Sequence, residues 1–274
     1  MELYKLYRKM LEQLTINIAL GNPIGIIGMN VNDMLLSLKY GADPNQTNQD
    51  GDTALTIASR NGRAEIVELL LAHGADINQI DIKGNTALIE ASIYGYTKVV
   101  ELLLAHGADV NQTDLDGDTA LINTSYNGYI EIVELLLAHG ANVNHASQSG
   151  FTALIDASRY GRVEVVELLL AHGANVNQTD QDGNTALMFA SREGHTEVVK
   201  LLLAHGADVN QTNQRGNTAL MLVSLNGNTE VVELLLAHGA DVNQTNLDGD
   251  TALMYASTNG RTEVVELLLE HGAV

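Results

Sequence analysis

The sequence of 274 residues contains no cysteine and no tryptophan, two prolines, two phenylalanines, and 14 Lys plus Arg against 34 Asp plus Glu. Without cysteine, disulfides, thiolate metal sites and cysteine nucleophiles are excluded. The shortage of cations leaves a formal charge of −20. That charge repels both a phosphate backbone and an anionic lipid surface, so neither nucleic acid nor a membrane is expected as partner. No apolar run approaches the ~20 residues that a bilayer span requires. Lys5, Arg8 and Lys9 precede apolar residues, as in a signal peptide. However, Leu3, Leu6, Met10, Leu14 and Ile18 recur at helical spacing and Asn22-Pro23 follows, which fits an amphipathic packing helix better. A cytoplasmic or otherwise intracellular location is expected. Aromatic residues make up only 4% although 45% are hydrophobic, so the core is expected to be Leu, Val, Ile and Ala in small, closely stacked units.

What the sequence has in abundance is repetition. Thr-Ala-Leu begins at Thr53, Thr86, Thr119, Thr152, Thr185, Thr218 and Thr251, and Gly-Ala keeps the same 33-residue step from Gly41 to Gly272. A regular period of this length marks a stack of identical supersecondary units. In each unit an x-Gly pair such as Asp50-Gly51 or Ser149-Gly150 places glycine at the tip of a tight hairpin. Thr53 and its equivalents offer a hydroxyl N-cap to a short first helix. Gly62 and its equivalents break that helix. A second helix, Glu65 to His73 in the first full unit, carries Ile66, Val67 and Leu69 to Leu71, and Gly74 supplies its C-terminal cap. Helices this short are not stable alone in water, so each unit must bury its apolar faces on the next.

Hairpin, Thr-x-Leu helix start, Val-Val-Glu-Leu-Leu-Leu second helix and Gly-Ala-Asp-Val-Asn exit at period 33 together resemble the ankyrin repeat. The resemblance implies an all-α solenoid of stacked helix-turn-helix units with β-hairpin fingers. It covers 48–274 as seven repeats in one continuous domain: 48–80, 81–113, 114–146, 147–179, 180–212, 213–245 and 246–274. Residues 31–45 preserve the second-helix and exit pattern, and 1–47 reads as a divergent N-terminal capping unit. Those 47 residues hold four of the fourteen cations and four of the thirty-four anions, so the whole −20 falls on 48–274. One departure stands out. The family's Thr-Pro-Leu-His is here Thr-Ala-Leu followed by Thr56, Ile89, Ile122, Ile155, Met188, Met221 or Met254, so apolar packing is expected to replace the histidine in six of seven units.

Candidate chemistry is sparse. Seven histidines, His73 to His271, share one column. Stacked helices lie ~8–10 Å apart while Zn–N bonds are ~2 Å, so the expectation is a ring bonded to a carbonyl in the last helical turn, not a metal ladder. Asp114-x-Asp116-Gly-Asp118 resembles the start of a calcium loop but lacks the glycine and glutamate that an EF-hand needs at its sixth and twelfth positions, so these read as hairpin acids. Asn-x-Thr triplets such as Asn45, Asn111 and Asn177 match glycosylation acceptors only because asparagine ends the exit turn, where it can satisfy local backbone groups. No nucleophile-elbow, phosphate-loop or zinc-protease motif occurs, and neither a metal, a cofactor nor catalysis is expected.

Comparing units separates fixed columns from free ones. The columns headed by Ile57, Arg60, Asn61 and Arg63 vary widely, as do the residues around each hairpin glycine. By the resemblance, hairpin tips and the exposed face of the first helices form a concave binding surface. All eight aromatics of the repeats fall in free columns, and large aromatics are typical of binding hot spots. The expected partner surface is therefore an aromatic and apolar centre of Ile82, Ile93, Tyr94, Leu115, Tyr126, Phe151 and Tyr160, with Glu90, Asp116, Asp118 and Asp156 as an acidic rim. Arg159, Phe189, Arg192 and Tyr255 lie further along. The expected partner is a protein or peptide with a basic surface. The protein is read as a non-catalytic, monomeric scaffold or adaptor, or as the interaction module of a secreted bacterial effector. The alternatives are an array that stacks on itself through the C-terminal helix Val264 to Leu269, and a consensus-like synthetic scaffold.

Overall fold

The computed structural model describes residues 30–274, and the N-terminal packing helix expected before them lies outside the described residues. Fifteen helices follow one another. The first, α1 (Val31–Lys39), is a second-type helix standing where the 31–45 pattern expects one. Seven pairs follow: α2 (Ala54–Arg60) and α3 (Ala64–Ala72), α4 (Ala87–Ile93) and α5 (Thr97–Ala105), α6 (Ala120–Asn127) and α7 (Ile130–Ala138), α8 (Ala153–Arg159) and α9 (Val163–Ala171), α10 (Ala186–Glu193) and α11 (Thr196–Ala204), α12 (Ala219–Asn226) and α13 (Thr229–Ala237), and α14 (Ala252–Thr258) and α15 (Thr262–Glu270). The architecture is an all-α repeat solenoid.

Two compact units divide the chain, and the division passes through α6 and α7. The first unit runs to Thr124 and includes Glu131–Ala141. The second comprises Ser125–Ile130 and Asn142–Val274. Within each unit first helices pack on first helices, as α2 on α4 or α10 on α12, and second helices on second helices, as α3 on α5 or α11 on α13.

The caps behave as the sequence implies. Thr53 accepts a hydrogen bond from the Thr56 amide at 3.1 Å, and the same bond recurs from Thr86 at 3.2 Å to Thr251 at 3.3 Å. Thr56 returns the bond to the Thr53 amide, closing a capping box. In the column that departs from the family pattern, Ile89, Ile122, Ile155, Met188 and Met221 are buried, whereas Met254 is exposed. Apolar packing therefore replaces the histidine in five units, not six.

The fingers are tight turns with little strand character. Only two isolated bridges occur among the described residues, Thr113 with Thr119 and Thr179 with Thr185. The turn is held instead by the residue that opens it. Asp81 Oδ1 accepts the amides of Lys83 and Asn85, at 2.8 and 2.9 Å. Asp114 does the same for Asp116 and Asp118, and Asn246 for Asp248 and Asp250. Of the acids that resemble a calcium-loop opening, Asp114 thus commits Oδ1 to the turn itself.

Successive fingers are also bonded to each other. The Ile82 amide donates to Asp50 O at 3.0 Å, and Gln181 to Ser149 O at 3.0 Å. This contact explains the invariant glycine more fully than turn geometry alone. Gly51 and Gly150 have φ of 74° and 81°, where a side chain is strained. A Cβ on Gly150 would in addition stand 2.6 Å from the Gln181 nitrogen.

At the opposite end of each pair, the exit-turn asparagine reaches the following repeat instead of its own turn. Asn177 Oδ1 accepts the Asp208 amide at 2.8 Å while its Nδ2 donates to Gly206 O at 3.3 Å. Asn45, Asn144, Asn210 and Asn243 make both bonds too. The histidine column behaves as expected, with Nδ1 of His73, His106, His139 and the rest 2.7–2.8 Å from the carbonyl four residues back.

Candidate functional site

In the first unit the free residues converge on a cleft of about 420 Å³ lined by Asp50, Asp52, Arg60, Asp81, Ile82, Lys83, Asn85, Glu90, Ile93 and Tyr94. The fingers contribute Asp50 to Asp52 and Asp81 to Asn85, and the first helices α2 and α4 contribute Arg60 and Glu90. Ile82 is 61% exposed and Tyr94 51%, so both stand exposed at the cleft wall, the Tyr94 ring stacked with Tyr96 at 6.5 Å, beside exposed Asp50 and Lys83.

The floor of the cleft is an ion cluster. Arg60 meets Glu90 through two bonds, Nε to Oε2 at 2.9 Å and Nη2 to Oε1 at 2.8 Å. It also meets Asp52 Oδ1 at 2.6 Å and Asp81 Oδ2 at 3.5 Å. The hydrogen bonds it donates to Glu90, opposed by burial and reinforced by those to Asp52, hold the guanidinium above its ordinary range. Glu90 is only 4% exposed and also accepts from Asn85 Nδ2 at 3.1 Å. This corrects its assignment to an acidic rim, because a buried carboxylate bonded twice to Arg60 does not face a partner. Farther along this unit, Leu115 is 63% exposed at its finger, with Asp116 exposed and Asp118 half-buried.

In the second unit the aromatics gather with arginines. Tyr126 and Tyr160 meet edge to face, with centroids 4.4 Å apart and planes at 64°. Phe151 and Phe189 lie 5.7 Å apart. The Arg159 guanidinium sits 5.8 Å from the Phe151 centroid, 5.4 Å from Tyr160 and 5.5 Å from Phe189, while Arg192 covers Phe189 at 5.2 Å. Burial pushes the Tyr160 phenol upward, against the lowering pull of Arg159. Phe189 is 5% exposed, which corrects its place among residues that contact a partner: it is the platform on which two guanidinium groups rest. Tyr255 is half-buried, its hydroxyl receiving Asn246 Nδ2 at 3.0 Å and donating to Asn217 Oδ1 at 3.3 Å, which ties it to the finger of its own repeat and the one before.

The variable column headed by Arg63 has a structural task. Tyr96 lies over Gly62, Arg162 over Gly128, His195 over Gly161, Asn228 over Gly194 and Arg261 over Gly227, each so close that a Cβ on the glycine would collide with it. Four of these side chains also bond the end of the preceding first helix: Arg162 Nε to Tyr126 O at 3.2 Å, His195 Nε2 to Arg159 O at 3.0 Å, Asn228 Nδ2 to Gly194 O at 3.4 Å and Arg261 Nε to Leu225 O at 3.0 Å. Sequence comparison flagged this column as free. The only signal of its role was the glycine one position earlier in every unit.

No group of three or more His, Asp or Glu suited to a metal occurs among the described residues, and no helix among them is long and apolar enough to cross a membrane. The family model for ankyrin repeats (3 copies) matches residues 27–114, 110–180, 177–213 and 187–274. A search of curated proteins finds no match. The period, the capped helix pairs and this match over most of its length place the chain in the ankyrin repeat family.

Proposed function

We propose that this protein is a non-catalytic scaffold whose first unit binds a partner protein by taking a basic side chain into the cleft between Asp50, Ile82 and Tyr94. Ankyrin repeats are generally protein–protein interaction modules and their proteins typically non-catalytic scaffolds, which supports the general half of this reading. The observation that carries the specific half is the cleft itself. Two large apolar side chains stand exposed beside it, whereas equivalents in the fixed columns are buried. Asp52, Asp81 and Glu90 are engaged by Arg60, and Asp50 stands exposed at the rim, so an entering Lys or Arg meets Asp50 at its charged end while its alkyl stem covers Ile82 and Tyr94.

The role of the charge is chiefly to select the partner and speed encounter. Accordingly, a partner recovered by affinity purification is expected to bind Ile82→Ser/Asp50→Asn at least ~10-fold more weakly, consistent with loss of a hot-spot contact. Association should also slow as salt rises. Undiminished affinity in the double variant, with helix content unchanged, would remove the cleft from the binding surface.

A further inference from the structure

In a chain of formal charge −20, Arg159 is set apart by the rings around it. Its guanidinium stands within 6 Å of the centroids of Phe151, Tyr160 and Phe189, yet among the described residues no carboxylate lies within salt-bridge distance of it. The neighbouring Arg192 differs: Glu193 takes it, Nη2 to Oε1 at 2.9 Å. Arg159 is half-buried and its backbone is pinned, because His195 Nε2 bonds its carbonyl at 3.0 Å.

A guanidinium held 5.4–5.8 Å from three ring centroids has already lost much of the rotamer freedom that binding would cost, and its planar donors match a carboxylate. Such a group is prepared for one planar, bidentate acceptor. We propose that Arg159 is the anchor of a second binding site in this protein, which takes an Asp or Glu carboxylate from an acidic, apolar-flanked segment of a partner, with the flanking residue against Tyr126 and Tyr160. The site is opposite in sign to the cleft of the first unit and does not depend on it. A carboxylate suits it better than a phosphate. Glu193 already occupies Arg192, which leaves Arg159 as the single guanidinium for the ligand, and a dianion is repelled more strongly by the acidic chain than a monoanion is.

The test uses the full chain, ¹⁵N-labelled, with the arginine Nε–Hε signals followed by NMR. The probes are acetyl-Leu-Glu-Leu-amide, the same peptide with Gln in place of Glu, and inorganic phosphate. The Arg159 signal is expected to shift saturably with the Glu peptide, with about tenfold weaker binding of the Gln peptide and about tenfold weaker binding of the Glu peptide to Arg159→Lys, which keeps the charge but loses the fork. Equal response to the Glu and Gln peptides, a shift confined to Arg192, or saturation by phosphate without the Glu peptide would overturn the proposal. Should Arg159→Lys fail to fold, the Glu-against-Gln comparison on the unaltered chain decides the matter alone.

Discussion

Replacing Gly150 and Gly249 by alanine, one at a time, separates two demands that the fingers place on the same residue type. Both glycines have similar positive φ, 81° and 84°. An L side chain there costs ~1–2 kcal/mol, partly offset by the reduced entropy of the unfolded chain, ~0.4–1 kcal/mol. Gly249→Ala should therefore destabilise by ~1 kcal/mol, because a Cβ there meets nothing within 4 Å. At Gly150 the Cβ would stand 2.6 Å from the Gln181 nitrogen and 2.8 Å from the Asp180 carbonyl carbon. Backbone cannot rotate away as a side chain can, so the next finger must shift. Its Gln181 N–H to Ser149 O bond of 3.0 Å would be lost at ~1 kcal/mol, with a comparable cost for the displaced packing, and Gly150→Ala should lose ~3 kcal/mol. Urea denaturation of both variants, fitted with nearest-neighbour coupling between repeats, measures the difference. Hydrogen exchange at the Gln181 amide reads the local event. Equal losses in the two variants, with Gln181 protection unchanged, would refute the reasoning that finger-to-finger contact requires the glycine.

Asn177→Ala removes the bonds to Asp208 N and Gly206 O and should cost ~1–2 kcal/mol, with faster exchange of the Asp208 amide as the local readout. Arg60→Ala leaves Asp52, Asp81 and Glu90 buried without their cation and should lose ~3–5 kcal/mol, which urea denaturation of the variant against the unaltered chain measures. The fold favours the neutral phenol of Tyr160, so its contribution is present below the ordinary phenol range, ~10, and is lost as pH rises through the raised folded value. Tyr160→Phe should therefore unfold with a shallower alkaline dependence, which melts between about pH 8 and about pH 11 would reveal.

The period was legible as a 33-residue recurrence, and the threonine caps, the helix limits and the histidine-to-carbonyl bonds because each depends on residues within four positions of one another. What escaped it depends on contacts between repeats. The Arg63 column varies freely because Tyr, Arg, His and Asn can each cover a glycine, so variability there reflects interchangeable packing, not exposure. Phe189 and Glu90 were misplaced for a related reason. Each sits in a variable column yet is covered by side chains from its own and the preceding repeat, Phe189 by Arg159, Arg192 and Phe151 and Glu90 by Arg60 and Asn85, which comparison of columns does not reveal. The exit asparagine was read as a local turn former, whereas its partners lie 29 and 31 residues away.

The central claim is that fixed columns build the stack while exposed residues of the free columns bind. It is tested most directly by the affinity of a partner, recovered with the unaltered chain, for the first-unit variant Ile82→Ser/Tyr94→Ala. Both side chains are exposed, so the fold should survive with the same helix content while affinity drops by at least ~100-fold, the scale of two lost hot-spot residues. Full affinity in a correctly folded double variant would contradict the account.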